Sequence, residues 1–175
     1  VLQQAANACI NFDNLNLSLL EISHRSKNFE AVMNNSRQLV KELLHLDDDF
    51  EVIFLGGGAS LQFAMVPYNL LRTDGKAGYV NTGVWASKAI KEAKIIGNTV
   101  VVASSEEQKF THIPKGYDIP NDLDYLHITS NNTIYGTQMK SFPKTNVPLV
   151  CDMSSDIFSR EVNGNDFSLI YAGAQ

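Results

Sequence analysis

Five short clusters in the 175-residue sequence carry residue types that could do chemistry. Gly56, Gly57 and Gly58 follow the apolar pair Phe54-Leu55 and precede Ala59, Ser60, Leu61 and Gln62. Glycines let a backbone approach an anion closely, and open N–H groups with the dipole at a helix start favour phosphate. A plain tight turn has the same local sequence. No Lys-Ser/Thr pair follows the glycines and the G-x-G-x-x-G spacing is missing, so neither a Walker loop nor a dinucleotide fingerprint is present. Trp85, the only tryptophan, ends the run Asn81-Thr82-Gly83-Val84-Trp85; a flat ligand could stack on its indole, or the ring could belong to the core. Asn131-Asn132-Thr133-Ile134-Tyr135-Gly136 is a polar stretch that is either a ligand loop or an ordinary one. Asp152 closes the apolar run Val147 to Cys151. A buried aspartate needs a partner, and a protonated ring nitrogen and a helix N-cap are the alternatives. Arg25, beside His24, could grip a carboxylate or phosphate with two parallel hydrogen bonds or form a surface ion pair.

The elements that must position these residues alternate in type. Apolar residues at helical spacing (Phe29, Val32, Met33, Leu39, Val40, Leu43, Leu44) predict an amphipathic helix over Phe29 to Leu46. Phe50 to Leu55 reads as a short strand stopped by the glycines, and Ser60 to Leu71 as a helix interrupted by Pro67. Strands are expected at Ala77 to Asn81, Asn98 to Ala103, Leu126 to Thr129, Pro148 to Asp152 and Leu169 to Ala172, with a helix over Trp85 to Ala93. The strands are short apolar runs rather than alternating ones, as in sheets buried on both faces. Strands alternating with helices predict an α/β domain with a mainly parallel sheet. Ligands of such sheets bind beyond the C-terminal strand ends, which is where four of the five clusters fall.

Composition narrows the function classes. A formal charge of −5 and the absence of a Lys/Arg cluster exclude the basic footprint of a nucleic-acid binder or a polybasic membrane patch. No apolar stretch is long enough to span a bilayer, and residues 1–10 have no basic segment ahead of an apolar core. Cys9 and Cys151 stand far apart, outside any metal-ligand spacing, and read as reduced, largely buried thiols of a cytoplasmic protein. Val1 opens inside a helix-like stretch and Gln175 follows directly on an apolar strand, so both ends read as cuts.

The order and spacing of Ser23-His24-Arg25, Phe54 to Pro67, Asn81 to Trp85, Cys151 to Arg160 and Leu169 to Gln175 resemble the phosphoserine aminotransferase family over nearly the whole chain. The resemblance implies a fold-type-I, class-V transferase that uses pyridoxal phosphate (PLP). Its large-domain parallel sheet would have helices on both faces, and residues 1–175 would be part of that domain, with the small domain not present. It implies amino transfer between L-glutamate and 3-phosphohydroxypyruvate, giving phosphoserine, in serine and in many bacteria also pyridoxine biosynthesis, by a cytoplasmic homodimer. By motif, Ala59 and Ser60 would hold the cofactor phosphate and Trp85 would stack on its ring. Thr133 would hydrogen-bond near the phenolic oxygen, Asp152 would pair with the ring nitrogen, and Gln175 would contact the cofactor. Arg25 with His24 would bind the substrate. The catalytic lysine is expected directly after Gln175, so residues 1–175 alone are expected to be inactive. Ser60 stands where some members carry an arginine. The alternatives are another class-V aminotransferase or desulfurase, and a non-catalytic phosphate- or nucleotide-binding module.

Overall fold

The computed structural model describes residues 1–173, which fall into two compact units, Val1–Ile53 and the residues from Phe54 onward. In the first unit, α1 (Leu2–Ile10) is followed by a 3-10 turn at Phe12–Asn14 and by α2 (Lys27–Leu43). The start of α2 is set by Ser26, whose Oγ accepts from the Phe29 N–H at 3.3 Å. Glu30 in its first turn and Lys41 in its last complement the helix dipole. Cys9 on α1 is exposed, against expectation, because α1 buries none of its residues; Cys151 is buried as expected.

The second unit contains α3 (Gly58–Leu70), β1 (Ala77–Asn81), α4 (Val84–Ile96), β2 (Thr99–Ser104) and β3 (Tyr125–Thr129). A small hairpin of β4 (Asn131–Asn132) and β5 (Thr137–Gln138) comes next, then β6 (Leu149–Asp152) and β7 (Leu169–Tyr171). Five strands form one parallel sheet in the order β2-β1-β3-β6-β7. The chain grows from β1 to one side through β2 and to the other through β3. In open α/β sheets such a reversal marks where ligands bind, beyond the C-terminal ends of the strands, here β1 and β3.

Successive residues of each strand face opposite sides. One side joins Ala77, Tyr79, Tyr125, Val150 and Tyr171 to Phe63 and Val66 of α3 and to Ala89, Ile90 and Ala93 of α4. The other side joins Val80, Leu126, Ile128, Leu149, Cys151 and Met153 to Phe167, with Ile113, Tyr117 and Phe142 packed against them. The expected α/β architecture with a mainly parallel sheet and helices is present. Among the described residues of this unit, the second face packs against irregular segments from the long connections after β2 and β5. Phe50 to Leu55 forms no strand among the described residues. Ile53, Phe54 and Leu55 are exposed without a paired neighbour, and an apolar run becomes a strand only where a ladder partner exists. Pro67 lies inside α3 without ending it.

Candidate active site

Asp152 is the C-terminal residue of β6 and is 4% exposed. It lies level with Thr129 of β3 and Tyr171 of β7 in the parallel register. Its Oδ1 accepts from the Ser154 N–H at 2.9 Å and from the Ser154 Oγ at 2.6 Å. Burial pushes the carboxyl above the usual carboxylate range, the two Ser154 bonds pull it down, the charge of Asp156 adds to the rise and the nearby Tyr171 hydroxyl opposes it. Among the described residues no cation pairs with it. A buried carboxylate held by hydrogen bonds and lacking a counter-ion is an anchor for a cationic group brought by a ligand.

The crevice beside it is polar and closely packed. Thr82 Oγ1 lies 3.4 Å from Asn132 Oδ1, joining the end of β1 to the hairpin. Gly83 is required there, since a Cβ would stand 2.6 Å from that amide oxygen. Ser87 of α4 donates to Asn81 Oδ1 at 2.9 Å, which ties the first turn of α4 to the end of β1. Among the described residues, the buried Thr129 Oγ1 and Asn132 Nδ2 have no hydrogen-bond partner. Buried polar atoms are nearly always satisfied, so these two mark a place where a polar ligand or water completes the structure.

Trp85 is half-buried in the first turn of α4 and packs against the cluster that contains Phe63 and Tyr171. The Lys88 ammonium sits 4.4 Å from its ring centroid. Ala59 packs on the same cluster, whereas Ser60 is exposed. The N-cap of α3 is Gly57, at φ +97°, rather than a residue near Ser60. The three glycines stop the preceding segment and let the helix start earlier than expected. Gly57 offers no side-chain cap, so the N–H groups of the first turn, those of Ala59 and Ser60 included, are open to an anion. At Gly57 a Cβ would also meet Leu61 at 2.5 Å.

Thr133 is exposed at the tip of the β4–β5 hairpin. The hairpin is laced to the segment leaving β6. The Ser130 N–H donates to the Asp152 carbonyl at 3.0 Å and its hydroxyl to the Asp156 carboxylate, and Gln138 donates to the other oxygen of Asp156 at 3.0 Å. Asn131 donates to Ser155 Oγ at 3.0 Å, and Arg160 to the Met139 carbonyl at 2.6 Å. The structure therefore brings Asp152, the hairpin of Thr133 and the start of α4 with Trp85 to the strand ends. His24 and Arg25 are exposed in the first unit, in the turn before the Ser26 cap. Gln175 lies outside the described residues. Sequence reasoning missed Thr129, Ser130, Asp156 and Tyr171. Period-two reading of Tyr125, His127 and Thr129 along β3 would have flagged one polar face.

The family description for class-V aminotransferases matches residues 1–175. The chain belongs to that family. The phosphoserine aminotransferase of Flavobacterium psychrophilum is 61% identical across all of this chain and 49% of its own length. The solved phosphoserine aminotransferase of Bacillus circulans subsp. alkalophilus superposes with a TM-score of 0.95 at 46% identity, covering 99% of this chain and 49% of that one. A PLP-bound phosphoserine aminotransferase from Trichomonas vaginalis gives 0.87 at 28% identity, over 98% of this chain and 49% of its own. The chain thus spans about half the length of the class-V aminotransferases it matches. The α/β architecture with a central parallel sheet is the one these structures share.

Proposed function

We propose that this chain is the cofactor-holding part of a PLP-dependent phosphoserine transaminase, which moves an amino group between L-glutamate and 3-phosphohydroxypyruvate. The observation that carries the reading is Asp152: a buried carboxylate at a strand end with no cationic partner among the described residues. The crevice fits PLP on three further counts. Thr129 Oγ1 and Asn132 Nδ2 are buried without partners, the first turn of α3 has no side-chain cap, and Trp85 is half-buried at the start of α4. A bare phosphate module would use the α3 turn and leave the buried charge of Asp152 unexplained. The printed names of the relatives support the substrate pair.

In this reading the Ala59 and Ser60 N–H groups hold the cofactor phosphate, Trp85 covers one face of the ring and Thr133 meets the phenolic oxygen. Asp152 holds a proton on the ring nitrogen by charge, and Gln175 touches the cofactor. Arg25, with His24, binds the anionic end of the substrate. PLP, when bound, supplies an electron sink that makes the α-proton of an amino acid labile. Residues 1–175 belong to the large domain, a lysine following Gln175 moves that proton, and the small domain lies elsewhere in the protein. The family resemblance supports a cytoplasmic homodimer serving serine and also pyridoxine formation. Among the described residues no helix is long and apolar enough to cross a membrane.

The test is the visible spectrum of the full-length protein with PLP, before and after phosphoserine is added. A yellow band that bleaches on addition is the expected outcome. A yellow band indifferent to phosphoserine moves the substrate to another class-V transaminase, and a protein that takes up no PLP overturns the reading. Residues 1–175 alone are expected to show no turnover.

A further inference from the structure

Behind Asp152, the face of the sheet under α3 and α4 carries a buried polar row that apolar packing does not require. His127 of β3 is 1% exposed and Tyr171 of β7 is 8% exposed. They meet across the intervening β6, with His127 Nε2 2.8 Å from the Tyr171 hydroxyl and the rings tilted at 5.8 Å. Tyr79 stacks on the other side of His127 at 4.9 Å and shares a hydroxyl–hydroxyl hydrogen bond of 2.7 Å with Tyr125. Tyr171 is in register with Asp152 on the same face of the sheet, and its hydroxyl favours the charged form of that carboxylate.

The direction of these bonds follows from counting protons. Burial holds the His127 imidazole neutral, with its pKa lowered to about 3, so the ring carries one N–H. Its Nδ1 is buried without a partner among the described residues. A bare lone pair is the less costly group to leave there, since orphaned N–H donors are the rarer exception in folded proteins. The proton therefore sits on Nε2 and is donated to the Tyr171 oxygen. The Tyr171 hydroxyl proton is then committed to its other neighbour, Asp152. The groups facing Asp152 are the Ser154 hydroxyl and N–H, Tyr171 and the carboxylate of Asp156. Those facing His127 are the Tyr79 and Tyr171 rings.

We propose that Tyr171, held by the Nε2–H tautomer of His127, is a positioning residue that keeps the Asp152 carboxylate charged and aimed at the ring nitrogen of the cofactor. The inference rests on the PLP reading above. Burial and Asp156 both oppose ionisation of Asp152, and the Tyr171 hydroxyl is a donor that offsets them alongside Ser154.

Two measurements on the full-length protein decide it. The first is ¹⁵N NMR of the histidine rings without cofactor, with His127 assigned by its loss in His127→Gln. A protonated Nε2 with a bare Nδ1 is expected; the reverse tautomer would turn the Tyr171 proton towards His127 and overturn the proposal. This needs no variant of Tyr171 to fold and no cofactor to bind. The second is ¹⁵N NMR of labelled PLP bound to wild type and to Tyr171→Phe. Loss of the hydroxyl leaves Asp152 less ionised, so the ring nitrogen should titrate about one unit lower, a tenfold weaker hold on its proton. An unchanged titration with PLP bound overturns this inference while the function stands. A wild type that takes up no PLP overturns both.

Discussion

The two faces of the sheet are made from alternate residues of the same strands, yet they differ in kind. Val80, Leu126, Ile128, Leu149, Cys151 and Met153 point to a side that is apolar throughout and is closed by irregular segments. Tyr79, Tyr125, His127 and Tyr171 point to the other, under α3 and α4, and end at Asp152. The apolar face contributes stability roughly in proportion to the area it removes from water. The polar face must satisfy each donor and acceptor it buries, and holding a carboxylate there opposes folding. Of the buried atoms this face leaves without a partner among the described residues, His127 Nδ1 lies within the row and Thr129 Oγ1 at its C-terminal end. A sheet can be stabilised from one side and put to use on the other, and this division is open to mutation.

Asp152→Asn should have the largest effect and should split the two roles of one residue. The amide can still accept from Ser154 but carries no charge, so amino transfer by the full-length protein should fall roughly 10³-fold, the scale for losing a preorganised electrostatic partner. Stability without cofactor should move the other way. The folded pKa of Asp152 is raised above its unfolded value, so its favourable contribution is present below about pH 4 and is lost as pH rises through the folded value. At pH 7 the variant should therefore unfold at higher urea than wild type, and at pH 3 the difference should vanish. A variant less stable at pH 7 would make Asp152 a structural cap and erase the contrast between the faces.

Much of this was legible in the sequence, and the parts that were not have physical causes. Five strands and three of the helices lie within a few residues of the expected positions, because short β-rich runs and apolar periodicity are local properties. Asp152 was legible because an acid ending an apolar strand breaks the pattern. Phe50 to Leu55 misled, because pairing is not written into one strand's own composition. The start of α3 at Gly58 was missed because the helix was read from Ser60, whereas a glycine with positive φ terminates the preceding segment without a side-chain cap. The network of Ser130, Gln138, Asp156 and Arg160 joins residues up to 30 positions apart and depends on the β3–β6 register, which no local reading supplies.

Ile128→Ala probes the opposite face. Ile128 is fully buried there, one residue from His127. Truncation removes buried methyl groups and leaves a cavity, for a loss of about 3 kcal/mol. Because its side chain points away from the crevice, kcat at temperatures where the variant is folded should stay within about twofold of wild type. Urea denaturation and steady-state kinetics on the same preparation check both halves. A large fall in kcat with the fold intact would mean that the apolar face also sets the site's geometry.

The smallest effect is a slope rather than a loss, and it belongs to His127 alone. Its folded pKa of about 3 lies below the unfolded value of 6.5, so its contribution to stability is complete above pH 6.5 and is lost as pH falls towards 3. The unfolded chain takes up a proton that the buried imidazole refuses. Between pH 6.5 and 4.5 wild type should lose about 2–3 kcal/mol relative to His127→Gln, whose amide does not titrate. The window lies above the range where most carboxylates protonate, so the difference between the two proteins isolates the ring. Urea midpoints at half-unit pH steps give the slope directly. Parallel lines would mean that water or a shifted Tyr171 lets His127 ionise in place. The polar row would then be a hydrated seam, and the one-proton argument that orients Tyr171 towards Asp152 would lose its basis.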